Sequence, residues 1–379
     1  MKDLFRFADD LGPFIIVHIH RPAVGLKAIV AVDNIACGPA VGGVRMAPDV
    51  TVEEAVRLAR AMTLKNAAAG LPHGGGKSVI YGDPKMPLGE KERLIRAFAS
   101  AISDLTDYIP GPDMGTDELA MAWIKDETGR AVGLPRDIGG IPLDEIGATG
   151  FGLAASIDVA SRHIGLDLKG ARVVVQGFGS VGRHAARYLA EKGAILVAAS
   201  DSRGTIVDAD GLDVVGLVAL KAAGRPLKDH PRGQALAPEA VIDVPCDIWI
   251  PAARPDVITA DNVARLNARL VAQGANIPCT AAAEQALAAR GVLVVPDFIA
   301  NAGGVICAVT EYQHGTQAQA FAAIEEKVRA NTQAVLDEAA RTNDLPRAAA
   351  LSLAVTRVRR AMATRRWEAK GIGAEATMR

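Results

Sequence analysis

The segment Leu71-Pro72-His73-Gly74-Gly75-Gly76-Lys77-Ser78 sets three consecutive glycines before a lysine. Little side-chain bulk then surrounds the ammonium group. A Walker phosphate loop is excluded: Gly70 and Gly75 have its spacing, but the motif G-x-x-x-x-G-K-[ST] needs lysine at 76, not 77. Partial burial and a second lysine at 65 would both lower the pKa of Lys77, so that it could serve as a general base near neutral pH. A second constellation, Gly177-Phe178-Gly179-Ser180-Val181-Gly182, fits G-x-G-x-x-G, and Asp201 follows 19 residues after its last glycine. In a dinucleotide site the first glycine permits a tight turn, and the second lets the backbone approach a pyrophosphate. The third lets helix and strand pack closely, and the acidic residue accepts from ribose hydroxyls. Asp201 points to NAD, because a carboxylate repels a 2′-phosphate. Arg203, two residues on, leaves NADP open, since a guanidinium pairs with that phosphate.

These residues need elements to hold them. Phe14–Ile19 and Lys27–Val32 read as strands. Thr51 with Glu54 three residues later is a capping-box pattern, and Val52, Ala55, Val56, Ala59 and Met62 follow at helical spacing. That helix ends near Gly70-Leu71-Pro72 and carries Lys65 on its far end; Lys77–Tyr81 then reads as a strand. Asp113 follows Pro110-Gly111-Pro112, where a turn-capping aspartate is the plain structural alternative. Farther on, a small-residue helix over Gly150–His163 precedes a buried strand, Ala171–Gln176, and the glycine loop. Strands at Ile195–Ala199, Asp247–Pro251, Leu270–Gln273 and Val292–Val295 alternate with helices. This is the pattern of a doubly wound parallel sheet. After Gly304 the chain reads as helical, including Phe321–Ala340 and Ala348–Arg365.

With 379 residues, two domains are expected. Half the residues are hydrophobic and the formal net charge is -1, so bulk charge offers nothing to nucleic acid or an anionic membrane. No apolar run approaches the length that spans a bilayer, and the amino terminus lacks a signal-peptide pattern, so a cytoplasmic location is expected. Neither the four scattered cysteines nor the seven histidines show metal-ligand spacing.

Together, several motifs resemble the glutamate/leucine/phenylalanine/valine dehydrogenase family over nearly the whole chain. They are Gly42-Gly43-Val44-Arg45, Lys65-Asn66-Ala67, Gly74-Gly75-Gly76-Lys77, Pro112-Asp113-Met114-Gly115, Ala148-Thr149-Gly150, the glycine loop and Asn301-Ala302-Gly303-Gly304. The resemblance implies an enzyme for reversible oxidative deamination of an L-amino acid to a 2-oxo acid and ammonia, with NAD or NADP. Lys77 and Asp113 then match the catalytic pair, and Lys65 the residue that holds the substrate α-carboxylate. Thr149 and Asn276 match the residues that position the nicotinamide end of the cofactor, and Asn301, close to them, joins the cofactor set. Phe178, Ser180, Val181, Ser202 and Ala252 complete the expected cofactor set beside the three glycines, Asp201 and Arg203. The resemblance also implies a homo-oligomer.

The substrate set is Gly42, Gly43, Val41, Gly111, Val305 and Ala308. In the glutamate-specific branch a lysine precedes the glycine pair, where this chain has Val41. A serine stands four residues after the second glycine of Asn-Ala-Gly-Gly, where this chain has Ala308. An unpartnered carboxylate buried there is costly, so the expected substrate has an apolar side chain, branched or aromatic. Ser202–Asp210 and Lys221–Gln234 look more like the glutamate branch, which keeps glutamate as the alternative. A catalytically silent nucleotide sensor and a hydroxy-acid dehydrogenase are readings of other kinds. The first would have lost Lys77 or Asp113; the second relies on a catalytic histidine. The expected architecture is α/β with two domains about a cleft. Residues 1–135, completed by helices in 303–379, form the substrate domain, and residues 136–302 a Rossmann-like cofactor domain. Hinges are expected near residues 136–148 and 300.

Overall fold

The structure is a computed structural model and describes residues 5–365. It divides into two compact units.

Among the described residues, the first unit comprises residues 5–142, 308–320 and 351–365. Its strands are β1 (Ile15–Arg21), β2 (Leu26–Asn34), β3 (Ala40–Ala47), β4 (Gly74–Tyr81) and β5 (Tyr108–Pro112), joined by helices α1 (Val52–Ala68), α2 (Leu88–Ala101) and α3 (Glu118–Thr128). The sheet order is β1-β2-β4-β3-β5. β3, β4 and β5 run parallel, and β2 pairs antiparallel with β1 and β4. The sheet separates two apolar layers. Val30, Val32, Val44, Met46 and Ile80 meet Ile95, Phe98, Met121 and Ile124 of α2 and α3. On the other face Ala31 and Val79 meet Ala55, Val56 and Ala59 of α1.

Two strands were not legible from pattern. β3 carries two glycines and so has no clear alternation. β5 contains Pro110 and Pro112, which read as a turn, but it lies at the sheet edge, where missing donors are tolerated. β4 begins at Gly74, so the glycine run lies within the strand instead of before it. Thr51 caps α1 as expected, its hydroxyl accepting from the Glu54 N–H at 3.1 Å. The Glu54 carboxylate does not close the capping box; it pairs with Arg45.

The second unit comprises residues 143–307 and 321–350. It contains α4 (Leu143–Ile146), α5 (Ala148–His163), β6 (Arg172–Gln176), α6 (Ser180–Glu191), β7 (Ile195–Asp201), β8 (Gly204–Val207), α7 (Val214–Ala222), β9 (Gln234–Leu236), β10 (Ile248–Pro251), β11 (Leu270–Ala272), α8 (Ala281–Ala289), β12 (Leu293–Val295) and α9 (Asp297–Ala300). The sheet order is β12-β11-β10-β6-β7-β8-β9. Strands β12 to β7 pair in parallel, as expected, while β8 and β9 add an antiparallel edge that the sequence pattern did not reveal. The connection from β6 turns one way to β7, and β10 lies on its other side. That switch point is where ligands bind in open α/β sheets.

Helix α10 (Gly303–Tyr312) contains the unit boundary, followed by α11 (Gln317–Thr342) and α12 (Pro346–Met362). The division differs from the expected one in this third of the chain, because most of α11 belongs to the second unit. The reason is local: Arg329 pairs with Asp158 of α5 at 2.6 Å, and Thr332 hydrogen-bonds Ser156 at 2.9 Å. The later part of α12 belongs to the first unit, where Arg357 donates to the Ala67 and Ala68 carbonyls at 2.9 and 2.6 Å. It thereby satisfies acceptors that the end of α1 leaves open. Among the described residues no helix is long and apolar enough to cross a membrane.

Candidate functional site

Register places the first-unit residues. Across the parallel strands Val41 pairs with Gly75 and Ile109, and Gly43 with Gly111, so side-chain alternation puts Val41, Gly43, Gly111, Lys77 and Ile109 on one face. Arg45 and Asp113 follow on the same side. Lys77 contacts the Asp113 carboxylate directly. Arg45 donates to the same Asp113 oxygen at 3.1 Å and pairs with Glu54 at the start of α1. The Asp113 backbone is fixed as well: its N–H donates to the Thr116 hydroxyl at 3.0 Å, and that hydroxyl donates to the Val44 carbonyl at 2.8 Å.

The glycines explain how this pair fits. A Cβ on Gly43 would lie 2.7 Å from Asp113 Cβ and 3.1 Å from Lys77 Nζ. Gly43 therefore provides the space beside the ammonium group that the sequence assigned to the glycine triplet. The triplet does something else. Cβ atoms there would meet the Asn34 carbonyl (Gly74, 1.7 Å), the Thr63 amide (Gly75, 2.0 Å) and the Tyr108 ring (Gly76, 2.8 Å), so these residues let β4 press against its neighbours. Gly42, expected beside the substrate, occupies the other face, where a Cβ would lie 1.6 Å from the Gly76 carbonyl; it is a packing position. Asn66 anchors the end of α1 by donating to the Gly74 carbonyl at 2.7 Å. Lys65, half-buried, projects from that last turn.

Burial is the largest influence on Lys77 and, against the opposing pull of Asp113, leaves its pKa lowered. The like charge that adds to the lowering is Arg45, where the sequence reading had assigned this effect to Lys65. Burial pushes Asp113 upward, but the charge and hydrogen bond of Lys77, with Arg45, bring it below the usual carboxylate range. The arrangement can therefore hold Asp113 ionised and release a proton from Lys77 more readily than from a solvated lysine.

On the same face, Val41, Ile109, Val132 and Ala308 form one buried apolar cluster, with Tyr312 packed against it. Gly111 opens toward it: a Cβ there would lie 2.9 Å from Val132 Cγ2. His73 meets the Tyr312 ring edge-on at 5.9 Å, and burial favours its neutral form, so it supplies no fixed cation. Sequence reasoning missed Ile109, Val132 and Tyr312, and also Glu311. The buried Glu311 carboxylate accepts from the Gly133, Leu134 and Ile141 amides at 2.8, 3.1 and 2.7 Å. It fixes the Val132 loop to α10, which carries Ala308. Val305 lies one turn before Ala308 on that helix and is half-buried.

In the second unit the three glycines of the loop divide their work. Gly177 has φ +92°, a Cβ on Gly179 would meet open space, and one on Gly182 would lie 2.1 Å from the Gly177 carbonyl. A turn, an approach path and close packing at the amino end of α6 suit a pyrophosphate. A cavity of about 500 Å³ adjoins Gly177, Asp201 and Ser202, with Ile242 and Val257 as apolar walls. These residues fit a dinucleotide. Phe178 is buried, so only its backbone faces the loop, and the Ser180 hydroxyl donates to the Asp144 carbonyl at 3.0 Å. Val181 and Ala252 flank Gly274 on the way to Asn276. Asn301 donates to the Asn276 side-chain oxygen at 3.0 Å. Thr149 lies beside Gly304, whose Cβ would come within 2.8 Å of its hydroxyl, so two distant motifs meet.

Asp201 departs from expectation. Its carboxylate already accepts from Lys221 at 3.0 Å, from the Leu227 amide at 3.3 Å and from the Arg203 amide at 2.9 Å. Lys221, which sequence reasoning did not single out, thus neutralises the charge expected to repel a 2′-phosphate. The Arg203 guanidinium turns to the Gly224 carbonyl at 2.9 Å.

Comparison with known proteins bears on this site. A family profile described as glutamate/leucine/phenylalanine/valine dehydrogenase matches residues 139–366, and that family's dimerisation domain matches residues 15–130. A glutamate dehydrogenase of Aeropyrum pernix is 40% identical over 358 residues, covering 88% of this chain and 85% of the relative. The structure of a hetero-hexameric glutamate dehydrogenase from Thermus thermophilus, in a leucine-bound form, superposes with a TM-score of 0.82 at 33% identity, covering 94% of this chain and 91% of that one. An L-tryptophan dehydrogenase from Nostoc punctiforme gives a TM-score of 0.75 at 26% identity, covering 94% and 99%.

Proposed function

The chain belongs to the glutamate/leucine/phenylalanine/valine dehydrogenase family, and we propose that within it this enzyme deaminates L-amino acids whose side chains are apolar. That it is an NAD(P)-dependent amino acid dehydrogenase follows from membership. The narrower substrate reading rests on one observation: the cluster of Val41, Ile109, Val132 and Ala308 on the face that carries Lys77. A side-chain carboxylate placed among these residues would lose its hydration without gaining a partner. A branched or aromatic side chain meets only apolar walls.

In this reading Lys65 holds the α-carboxylate of the substrate. NAD(P), when bound, supplies the acceptor for the hydride leaving Cα. Lys77, with its lowered pKa, takes a proton from the water that attacks the resulting iminium carbon. Asp113, kept ionised by Lys77 and Arg45, accepts and returns protons at the substrate nitrogen, and ammonia leaves. Gly177, Gly179 and Gly182 seat the pyrophosphate, Asp201 faces the adenosine ribose, and Thr149, Asn276 and Asn301 orient the nicotinamide end. With Asp201 paired to Lys221, the enzyme accepts NADP as well as NAD. The match to a dimerisation domain supports a homo-oligomer.

Glutamate is the second reading, favoured by the glutamate dehydrogenases among the relatives. Reductive amination separates the two: purified protein, ammonia, NADH or NADPH and a set of 2-oxo acids, followed by absorbance. Faster turnover of 4-methyl-2-oxopentanoate, 3-methyl-2-oxobutanoate or phenylpyruvate than of 2-oxoglutarate is the expected result; the reverse order discards the apolar assignment. Lys77→Ala should lower kcat/KM by about 10³-fold with NAD binding retained. Near wild-type turnover in that variant would remove Lys77 from the mechanism.

A further inference from the structure

We infer that Asp297, with its ion-pair partner Arg347, is a positioning residue that holds the Asn276 turn in the conformation used by the nicotinamide end of the cofactor. The inference rests on the reading of Asn276 given above.

The chain leaves β11 at Ala272 and crosses the carboxyl end of the sheet through Gln273, Gly274, Ala275, Asn276 and Ile277. Ile277 has φ +49°. That is the left-handed region, where a β-branched residue is strained by its own Cβ. Ile277 is also 57% exposed, so apolar burial does not offset the strain. Hydrogen bonds hold the turn instead. The Ile277 amide donates to Asp297 Oδ2 at 2.8 Å, and its carbonyl accepts from the Asp256 amide at 3.0 Å. The Pro278 carbonyl accepts from Val257 and Ile258, both at 2.9 Å.

Asp297 is itself held from behind. Its other oxygen lies 2.9 Å from Arg347, at the start of α12, and its amide donates to the Gln273 side-chain oxygen at 3.2 Å. Arg347 also reaches both oxygens of Glu284 at 2.9 Å and the Gln273 oxygen at 2.8 Å. Gln273 closes the ring by donating to Glu284 at 2.6 Å. Asp297 and Glu284 are buried, at 5% and 4% exposure. A buried ion cluster is a weak source of stability compared with apolar packing. What this one supplies is a carboxylate oxygen fixed under a strained amide, one residue from the Asn276 side chain that Asn301 engages. A backbone held against strain beside a ligand site belongs to preorganisation. Asp297 and Arg347 touch none of the reacting atoms; they act through Asn276.

The test uses the full-length enzyme and the variants Asp297→Asn, Ile277→Gly, their combination and Asn276→Ala. Asp297→Asn keeps the shape but loses the charge that anchors it to Arg347. It should raise KM for NAD at least five-fold, with KM for the amino acid unchanged. The inhibition constant of ADP-ribose, which lacks the nicotinamide, should stay within two-fold. Adding Ile277→Gly should restore most of the NAD affinity, because glycine adopts this φ without being held. Unchanged KM for NAD in Asp297→Asn overturns the inference. So does equal weakening of ADP-ribose, which would mark general loosening, or failure of Ile277→Gly to rescue. Asn276→Ala isolates the underlying reading: wild-type NAD affinity there would mean that Asn276 does not serve the cofactor. A strong effect of Asn276→Ala beside a silent Asp297→Asn would discard the positioning role alone.

Discussion

Replacing Arg45 with methionine should move the pH profile of the enzyme upward, and the structure sets the size of the shift. Arg45 and Lys77 both contact Asp113 Oδ2, Arg45 at 3.1 Å. Two like charges on one carboxylate oxygen, about 5 Å apart at an effective dielectric of about 20, repel by about 3 kcal/mol. The carboxylate between them and the partial exposure of Arg45 screen most of this. About 1 kcal/mol remaining corresponds to roughly 0.7 pH unit. The sign follows from the proton balance. In the proposed mechanism Lys77 must be unprotonated in the free enzyme to activate water, so kcat/KM for oxidative deamination rises with pH through its pKa, which lies below the usual 10.5. Removing a positive neighbour raises that pKa, and freeing Glu54 adds to the effect. The rising limb of Arg45→Met should therefore lie between about half and one pH unit above the wild type, with a rate deficit of ~3–10-fold low on that limb that narrows as pH rises. The assay is NADH formation at saturating NAD across the neutral to alkaline range. Arg45→Lys keeps the charge and serves as the control. Titration of the amino acid itself is common to all variants and cancels in the comparison. An unshifted limb in Arg45→Met, or one shifted to lower pH, would refute the electrostatic account of Lys77.

Three further outcomes follow from single contacts. Gly43→Ala forces a Cβ to 2.7 Å from Asp113 Cβ; an overpacking cost of about 1–3 kcal/mol at the Lys77–Asp113 pair should lower the melting temperature by a few degrees and kcat by roughly 10-fold or more. Full activity in that variant would show that the pair has room to spare. Val41→Lys combined with Ala308→Ser should shift the ratio of 2-oxoglutarate to 4-methyl-2-oxopentanoate turnover by ~100-fold toward 2-oxoglutarate, since a buried carboxylate then has a partner; an unchanged ratio would place the substrate side chain elsewhere. Lys221→Met leaves the Asp201 carboxylate without its cation and should weaken NADP relative to NAD by about 10-fold, the worth of a charge-assisted contact. Steady-state KM values for both cofactors measure it, and a preference moving toward NADP would contradict the assignment.

The sequence alone determined the family. Lys77, Asp113 and the loop from Gly177 to Gly182 stood out as candidates because ionisable residues within glycine-rich runs are hard to explain by packing, and because strand, loop and helix follow one another over a short stretch. Local elements with strong periodicity, such as α1 and β6, were legible for the same reason. Tertiary structure alone decided which glycine does what. Gly42 and Gly43 are neighbours in sequence, yet pleating sends one to the Gly76 carbonyl and the other to Lys77 and Asp113. It also decided which charges act on Lys77. Arg45 lies two residues beyond Gly43, Glu54 heads a helix and Asp113 directly follows an edge strand, and only the sheet register brings them to one place. Val132, Glu311, Lys221 and Asp297 carried no motif at all. Their roles depend on burial and on backbone amides supplied by distant segments, and local pattern does not encode such partners.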